Sequence, residues 1–181
     1  EGETELSRLG VAVGKYWVCK RTSPFVAETL ECLGGNGYVE EHGMARLYRQ
    51  APLNSIWEGS GNVAALDALR ALAKEPQTLD AYFAEVEQAT GDGRFDDALS
   101  RLKKEFTSVD DLELRARRVV EQLALVLQGS LLLRYAPPAV ADAFCATRLD
   151  RDWGGAFGTL PPGIDLDPII DRAIVETSSP A

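Results

Sequence analysis

The sequence predicts an all-α protein, a helical bundle followed by a helical C-terminal extension. Apolar residues recur at intervals of three or four over most of the 181 residues, as at Leu6, Leu9, Val13 and Tyr16. Prolines and glycine clusters separate these segments. No segment alternates apolar and polar residues in the manner of a half-buried strand, which leaves helices as the main elements.

Each helix is indicated by its apolar pattern and by the residues that begin or end it. Pro24 either starts a second helix or kinks a single one over 4–33, and the glycines after Leu33 end it. Ser60 or Asn62 caps a helix that ends before Pro76 and has Val63, Leu66, Leu69 and Leu72 on one stripe. Further helices are expected over 45–50, 78–86, 95–106, 138–148 and 167–175, and a longest one begins at Asp110 or Asp111 and reaches Tyr135.

Composition and charge exclude a transmembrane protein and argue against nucleic-acid binding without excluding it. The net charge is −9, with seven basic and nine acidic residues in 1–70 and 12 basic and 19 acidic residues in 71–181, so neither part has the basic surface of a nucleic-acid-binding protein. No apolar run approaches the roughly 20 residues of a membrane span, and the N-terminus lacks the pattern of a signal peptide. Cys19, Cys32 and Cys145 form no metal-binding spacing, and we expect a reducing, cytoplasmic environment.

The window from Glu31 to Asn62 carries the residues with chemical potential. Gly34, Gly35 and Gly37 either form a helix end and a tight turn or let the backbone approach an anion. Glu58, between Trp57 and Gly59, is either an acidic residue near a helix start or a general base beside a large aromatic ring.

Other polar side chains in this window favour a structural role. Arg46 and Arg49 could hold a phosphate, although an ion pair with the acidic Glu40 and Glu41 is the simpler interpretation. His42 is the only histidine of the sequence and has no second metal ligand or nucleophile near it in the chain. Cys19 and Cys32 are expected to be buried apolar residues.

Three motifs in this window together resemble the C-terminal helical domain of the acyl-CoA dehydrogenase family. They are Glu31-Cys32-Leu33-Gly34-Gly35-Asn36-Gly37-Tyr38, Arg46-x-x-Arg49 and Trp57-Glu58-Gly59-Ser60. The sequence around Glu58 and the long extension are most similar to an adaptive-response branch of that family. The resemblance implies a partial C-terminal helical bundle over 1–75 and a helical extension over 76–181. Because Met44 is the only methionine, we expect the chain to be part of a longer protein.

The resemblance also implies roles for individual residues. Glu58 would be the base that removes the α-proton of an acyl-CoA thioester while a hydride passes from the β-carbon to FAD, and Gly59 would contact the substrate. Ser60 and Asn62 would contact FAD, and Glu31, Cys32, Leu33, Gly34 and Gly35 would contact the FAD of a neighbouring subunit. Four positions depart from the family pattern: Glu31 and Asn62 in place of glutamine, Ser60 in place of threonine, and Gln50 in place of an acid.

The implied partners are an acyl-CoA substrate, an electron-transfer flavoprotein and further copies of the chain in a homotetramer. Two alternatives to catalysis follow from the same residues. One is association with DNA, for which Arg115, Arg117, Arg118 and Arg134 are the only cluster to consider. The other is a non-catalytic oligomerisation module, favoured by the broad apolar face expected between Asp111 and Tyr135.

Overall fold

The computed structural model describes residues 2–108, 110–150 and 155–174, and within these ranges the protein is helical and contains no strand. The described residues form nine α-helices: α1 Gly2–Cys32, α2 Gly35–Tyr38, α3 Met44–Gln50, α4 Gly61–Lys74, α5 Gln77–Val86, α6 Gly93–Glu105, α7 Ala116–Tyr135, α8 Pro138–Phe144 and α9 Asp167–Ala173. Two 3₁₀ segments, Glu40–His42 and Ala51–Ser55, flank α3, and a π-helical turn, Cys145–Leu149, continues α8. The all-α prediction is therefore confirmed.

Helix α1 continues through Pro24, which decides between the two alternatives that the sequence left open. Proline in a helix interior removes one backbone hydrogen bond, so the continuity needs support from outside the helix. That support comes from α4 and the segment Ala51–Ser55 and from the short helices α2 and α3, all of which contact α1. With 31 residues, α1 is also the longest helix, whereas the sequence assigned that place to α7, which has 20.

The prediction that α7 begins at Asp110 or Asp111 is wrong. Asp111 has a φ of 55°, a left-handed conformation that a residue capping a helix N-terminus does not adopt. Residues 110–115 form turns, and the helix begins at Ala116. Arg115 stabilises these turns by donating to the carbonyl oxygens of Ser108 and Asp110 and to the Glu105 carboxylate.

Other local expectations need smaller corrections. Ser60 occupies the N-cap position of α4 but forms no side-chain capping bond, and Val63 of the expected apolar stripe is 50% exposed. The sequence also favours Thr78 as the cap of α5, but Thr78 is the second residue of that helix and its hydroxyl donates to the Glu75 carbonyl. Cys32 is exposed rather than buried, because α1 ends there and the chain turns away.

The glycines and prolines between Asp150 and Asp167 also predict an irregular stretch. Residues 151–154 of that stretch and the expected end of the last helix, Val175, lie outside the described residues.

The chain forms two compact units, the first comprising residues 1–85 and 102–124. Its core contains Leu9, Val13 and Tyr16 of α1, and α4 supplies buried small and apolar residues on one face: Ala65, Ala68, Leu69 and Leu72. Tyr82 is fully buried, and its hydroxyl donates to the Leu123 carbonyl at 2.7 Å. This hydrogen bond satisfies the polar end of a side chain whose ring contributes to the core.

The second unit comprises residues 86–101 and 125–181. Phe95, Val126 and Leu149 lie in its core beside the fully buried Cys145, and burial raises the pKa of the Cys145 thiol to about 12. Gly129 is needed for the packing of Leu149 in this core, because a Cβ at residue 129 would lie 2.8 Å from Leu149 Cδ1. The resemblance implies a domain boundary after residue 75. That boundary stays a prediction, because the two units are defined by compactness alone.

Candidate functional site

The glycine-rich segment lies where α1 ends. Gly34 has a φ of 57° and a ψ of −140°, a conformation that side-chain-bearing residues rarely adopt, so glycine is required for the turn into α2. Gly37 is needed for a different reason, since a Cβ there would lie 2.2 Å from the Leu30 carbonyl oxygen. Nothing lies within 4 Å of a Cβ built at Gly34 or Gly35, so the backbone of this turn is open to an approaching molecule.

A groove of about 690 Å³ adjoins this turn. Its walls come from the last turns of α1 and from the segment around α3, and they include Glu31, Tyr38, Tyr48 and Arg49. Tyr38 is 78% exposed and Tyr48 is 47% exposed, which is unusual for aromatic side chains in a protein without a partner. The groove therefore presents aromatic rings, and two acidic residues beside an ion pair, to a molecule from outside the chain.

Arg49 forms an ion pair with Glu40, and the two nitrogen–oxygen distances are 2.5 and 2.9 Å. This bidentate hydrogen bonding lowers the pKa of the Glu40 carboxyl. The pair supports the ionic interpretation of Arg49 over a phosphate clamp, and it supplies an acidic partner although Gln50 follows Arg49. His42 lies in the exposed segment Glu40–His42, and the described residues contain no cluster that could hold a metal ion.

The Trp57-Glu58-Gly59-Ser60 turn joins the segment Ala51–Ser55 to α4. Glu58 has a φ of 57° and Gly59 a φ of 108°, so the backbone reverses through two left-handed residues. For glutamate this conformation costs on the order of 1 to 3 kcal/mol, and such strain persists where surrounding contacts enforce it. The turn therefore has a conformation that its own sequence does not favour.

Contacts with α1 hold this turn. The ammonium group of Lys15 donates to the carbonyl oxygens of Asn54 at 3.1 Å and of Trp57 at 3.3 Å. One helical turn later, the Cys19 carbonyl accepts a hydrogen bond from the Ser55 hydroxyl at 2.7 Å. Sequence reasoning did not single out Lys15 or Ser55, because the partners lie 36 to 42 residues apart and no local pattern marks them.

The Glu58 side chain is exposed and lines a depression of about 300 Å³ together with Lys15, Asp67 and Arg70. Trp57 is 55% exposed, so within this chain its ring does not enclose the carboxylate. The group is accessible to a molecule that enters the depression, as a proton acceptor must be.

The nine residues singled out by the sequence fall into two places. Glu31 lines the groove beside α3, and Cys32, Leu33, Gly34 and Gly35 follow it in the exposed turn. Glu58 lines the depression beside α4, and Gly59, Ser60 and Asn62 follow it at the start of that helix. The two cavities have no lining residue in common. The contact of the first set with a neighbouring subunit's cofactor stays a prediction.

The residues at the start of α4 have chemistry that fits a flavin dinucleotide. Ser60 and Asn62 are exposed, and the Ser60 hydroxyl makes no capping bond, so it can donate to a ligand oxygen. The Lys20 and Arg117 side chains both reach Gly61, which adds positive charge where a diphosphate group would be favoured. Glu31, by contrast, adds a carboxyl group to the other set of residues, the turn from Glu31 to Gly35.

The fold and these motifs define an all-α bundle domain with two ligand-accessible turns. Residues 1–73 match the family model "Acyl-CoA dehydrogenase, C-terminal domain", and this part of the chain belongs to that family. Over 149 residues the chain is 42% identical to the putative acyl-CoA dehydrogenase AidB of Escherichia coli strain K12, which covers 82% of this chain and 27% of that protein.

Two further comparisons involve Caenorhabditis elegans. Acyl-CoA dehydrogenase family member 11 is 30% identical over 184 residues, covering 91% of this chain and 29% of that protein. The crystal structure of ACDH-11 in complex with C11-CoA superposes with a TM-score of 0.74 at 28% identity, covering 84% of this chain and 31% of that one. The chain thus spans between about a quarter and a third of the length of the relatives it matches.

Proposed function

We propose that this chain is the C-terminal helical part of an FAD-dependent acyl-CoA dehydrogenase and that Glu58 is the catalytic base. The observation that carries the proposal is the position of Glu58, exposed on a left-handed turn at a depression instead of being held in the protein interior. Membership of residues 1–73 in the family supports it.

In this proposal the reaction is α,β-dehydrogenation of an acyl-CoA thioester. The Glu58 carboxylate accepts the α-proton, and the small Gly59 leaves room for the acyl group beside it. FAD, when bound, supplies the acceptor for the hydride that leaves the β-carbon. Ser60 and Asn62 hold the cofactor through their side chains, and the turn from Glu31 to Gly35 contacts the cofactor of a neighbouring subunit.

The partners proposed with this function are an acyl-CoA, an electron-transfer flavoprotein as electron acceptor, and further copies of the protein in a homotetramer. We also propose a cytoplasmic location. Among the helices of the described residues, none combines the length and apolar character that crossing a bilayer requires.

An oligomerisation role is a second candidate, favoured by apolar surface that the described residues leave exposed. Val11 and Val18 of α1 are 69% and 64% exposed, and they lie seven residues apart on one face of the helix. Ile56, Trp57 and Val63, around the Glu58 turn, are at least half exposed as well. Surface of this kind is typical of contacts between subunits or with a ligand.

Association with DNA has less support from the structure. Arg115 and Arg118 both form ion pairs with Glu105, Arg117 lies near the buried Tyr16, and Arg134 donates to Gln88. Each of these four arginines thus has a partner within the chain, and the net charge of the chain is −9.

The experiment that tests the catalytic proposal is the substitution Glu58→Gln in the full-length protein. Removal of a general base lowers the rate of dehydrogenation by at least about 100-fold, while glutamine preserves the volume of the side chain. We therefore expect bound flavin to be retained and its bleaching by acyl-CoA under anaerobic conditions to be slowed to that extent. Asp67→Asn, in the same depression, is the matched control. Flavin bleaching at the wild-type rate in Glu58→Gln would exclude the assignment.

A further inference from the structure

The turn that presents Glu58 is held from a distant part of the chain. Lys15 lies in the middle of α1, and its ammonium group reaches two carbonyl oxygens at the end of the segment Ala51–Ser55 and just beyond it. Carbonyl groups at the end of a helical segment have no partner within that segment, and a cation there also offsets the negative end of the helix dipole. Lys15 thus supplies hydrogen bonds that the turn cannot make by itself.

The second of these carbonyls belongs to Trp57, the residue directly before Glu58. Its position sets the peptide plane between the two residues and hence the direction in which the Glu58 side chain leaves the backbone. Because Glu58 has a φ of 57°, this direction is not one that a free loop would maintain. A contact at Trp57 therefore acts on Glu58 without touching its carboxylate.

Lys15 also lines the depression into which Glu58 opens, together with residues of α4 such as Asp67. The hydrogen bond from Ser55 to the Cys19 carbonyl fastens the same segment one helical turn further along α1. The segment before Glu58 is consequently attached to α1 at two points, and Lys15 provides the one next to the carboxylate.

We propose that Lys15 is a positioning residue for Glu58: by holding the carbonyl groups of Asn54 and Trp57, it fixes the turn that aims the carboxylate into the depression. This inference rests on the proposed function in one respect, that Glu58 is the base. It goes beyond that function because it assigns the orientation of the base to a residue of another helix.

The test uses the full-length, flavin-loaded protein and compares Lys15→Met, Lys15→Gln and Lys15→Arg with Lys104→Met, a change at an exposed lysine of α6. Rapid-mixing measurements of flavin bleaching give the limiting rate and the dissociation constant of the acyl-CoA separately. We expect Lys15→Met and Lys15→Gln to lower the limiting rate by about 10- to 100-fold, as small misplacements of a catalytic group do, with little change in the dissociation constant. Lys15→Arg keeps a donor and restores most of the rate.

Hydrogen exchange provides a readout that is independent of catalysis. In Lys15→Met the backbone amides of residues 56–60 should exchange faster, while those of Leu9 and Val13 in the same helix keep their protection. A wild-type limiting rate in Lys15→Met would overturn the proposal, as would equal rates in the arginine and methionine variants. Failure of both neutral variants to give folded, flavin-loaded protein would also overturn it, because Lys15 would then be required for the fold as a whole.

The two proposals fail differently. If Glu58→Gln bleaches flavin at the wild-type rate, Glu58 is not the base, whereas the exchange of residues 56–60 still reports whether Lys15 holds the turn. If Glu58→Gln is slow and Lys15→Met is not, the base assignment stands and the positioning role of Lys15 is excluded.

Discussion

Two glycines of this protein are required for different structural reasons, which become visible only in their surroundings. Gly34 and Gly37 belong to one glycine-rich motif, yet Gly34 is required for its positive φ and Gly37 for a close contact with the Leu30 carbonyl. The sequence predicted that these glycines end the helix, and the structure adds that Gly34 has a φ of 57° and a ψ of −140° where the chain enters α2.

Gly37→Ala tests the close contact. A Cβ at 2.2 Å from a backbone oxygen forces α1 and α2 apart, and overpacking of this kind destabilises proteins by about 1 to 3 kcal/mol. We expect a loss of that size in the free energy of unfolding, measured by urea denaturation. Gly14→Ala is the matched control: it lies within α1 with nothing within 4 Å of its Cβ. Alanine there should stabilise the helix by up to about 1 kcal/mol. Equal effects of the two substitutions would contradict the packing argument.

At the scale of helices, the start of α6 shows how charge and capping combine. Asp92 accepts hydrogen bonds from the backbone N–H groups of Arg94 and Phe95 at 2.9 and 3.2 Å, as an N-cap residue does. The Arg94 guanidinium pairs with Asp92 and also with Asp142 of α8, so one arginine connects the start of α6 to α8. The hydrogen bond from Arg94 is the main reason that the pKa of Asp92 lies below its ordinary value of 3.8.

This network predicts a dependence of stability on pH. Because the pKa of Asp92 is lower in the folded protein than in the unfolded chain, its contribution is fully present above the unfolded value near 4 and is lost as the pH falls through the folded value. Asp92→Asn keeps a cap acceptor and removes the charge. We expect it to be about 1 to 2 kcal/mol less stable than wild type at pH 7, with the difference shrinking toward pH 3, in urea titrations at each pH.

The exposed Asp96, in the first turn of α6, provides the control for this measurement. Asp96→Asn removes the same charge near the same helix end without breaking the Arg94 network. A difference of the same size and pH dependence in both variants would show that the helix dipole, and not the Asp92–Arg94 pair, determines the effect.

At the scale of the whole molecule, exposed apolar side chains predict self-association. Val11 and Val18 lie on the face of α1 opposite its buried residues Leu9, Val13 and Tyr16. We expect light scattering to show species larger than the 19.7 kDa monomer at micromolar concentrations. Val18→Lys places a charge in that surface and should shift the distribution toward monomer, whereas Glu3→Lys, on the exposed first turn, should leave it unchanged. A monomer over a wide range of concentrations would contradict the prediction.

Local sequence patterns account for the elements whose cause lies within a few residues. Helical spacing of apolar residues, glycine at the end of α1, and Pro138 and Pro168 at helix starts place most helices within a few residues of their observed bounds. The motif around Glu58 was recognisable because its residues are adjacent in the chain. Each of these features depends on neighbours only a few positions away.

The tertiary fold sets the features that depend on distant contacts. It continued α1 through Pro24, since other segments pack against that helix before and after the proline, and it delayed the start of α7 to Ala116, where the turns held by Arg115 end. It also separated Glu31 from Glu58 into two cavities and placed Lys15 beside the turn that carries Glu58. A single hydrogen bond across 42 residues leaves no periodic trace in a sequence, because the partner of Lys15 is a backbone carbonyl that every residue possesses.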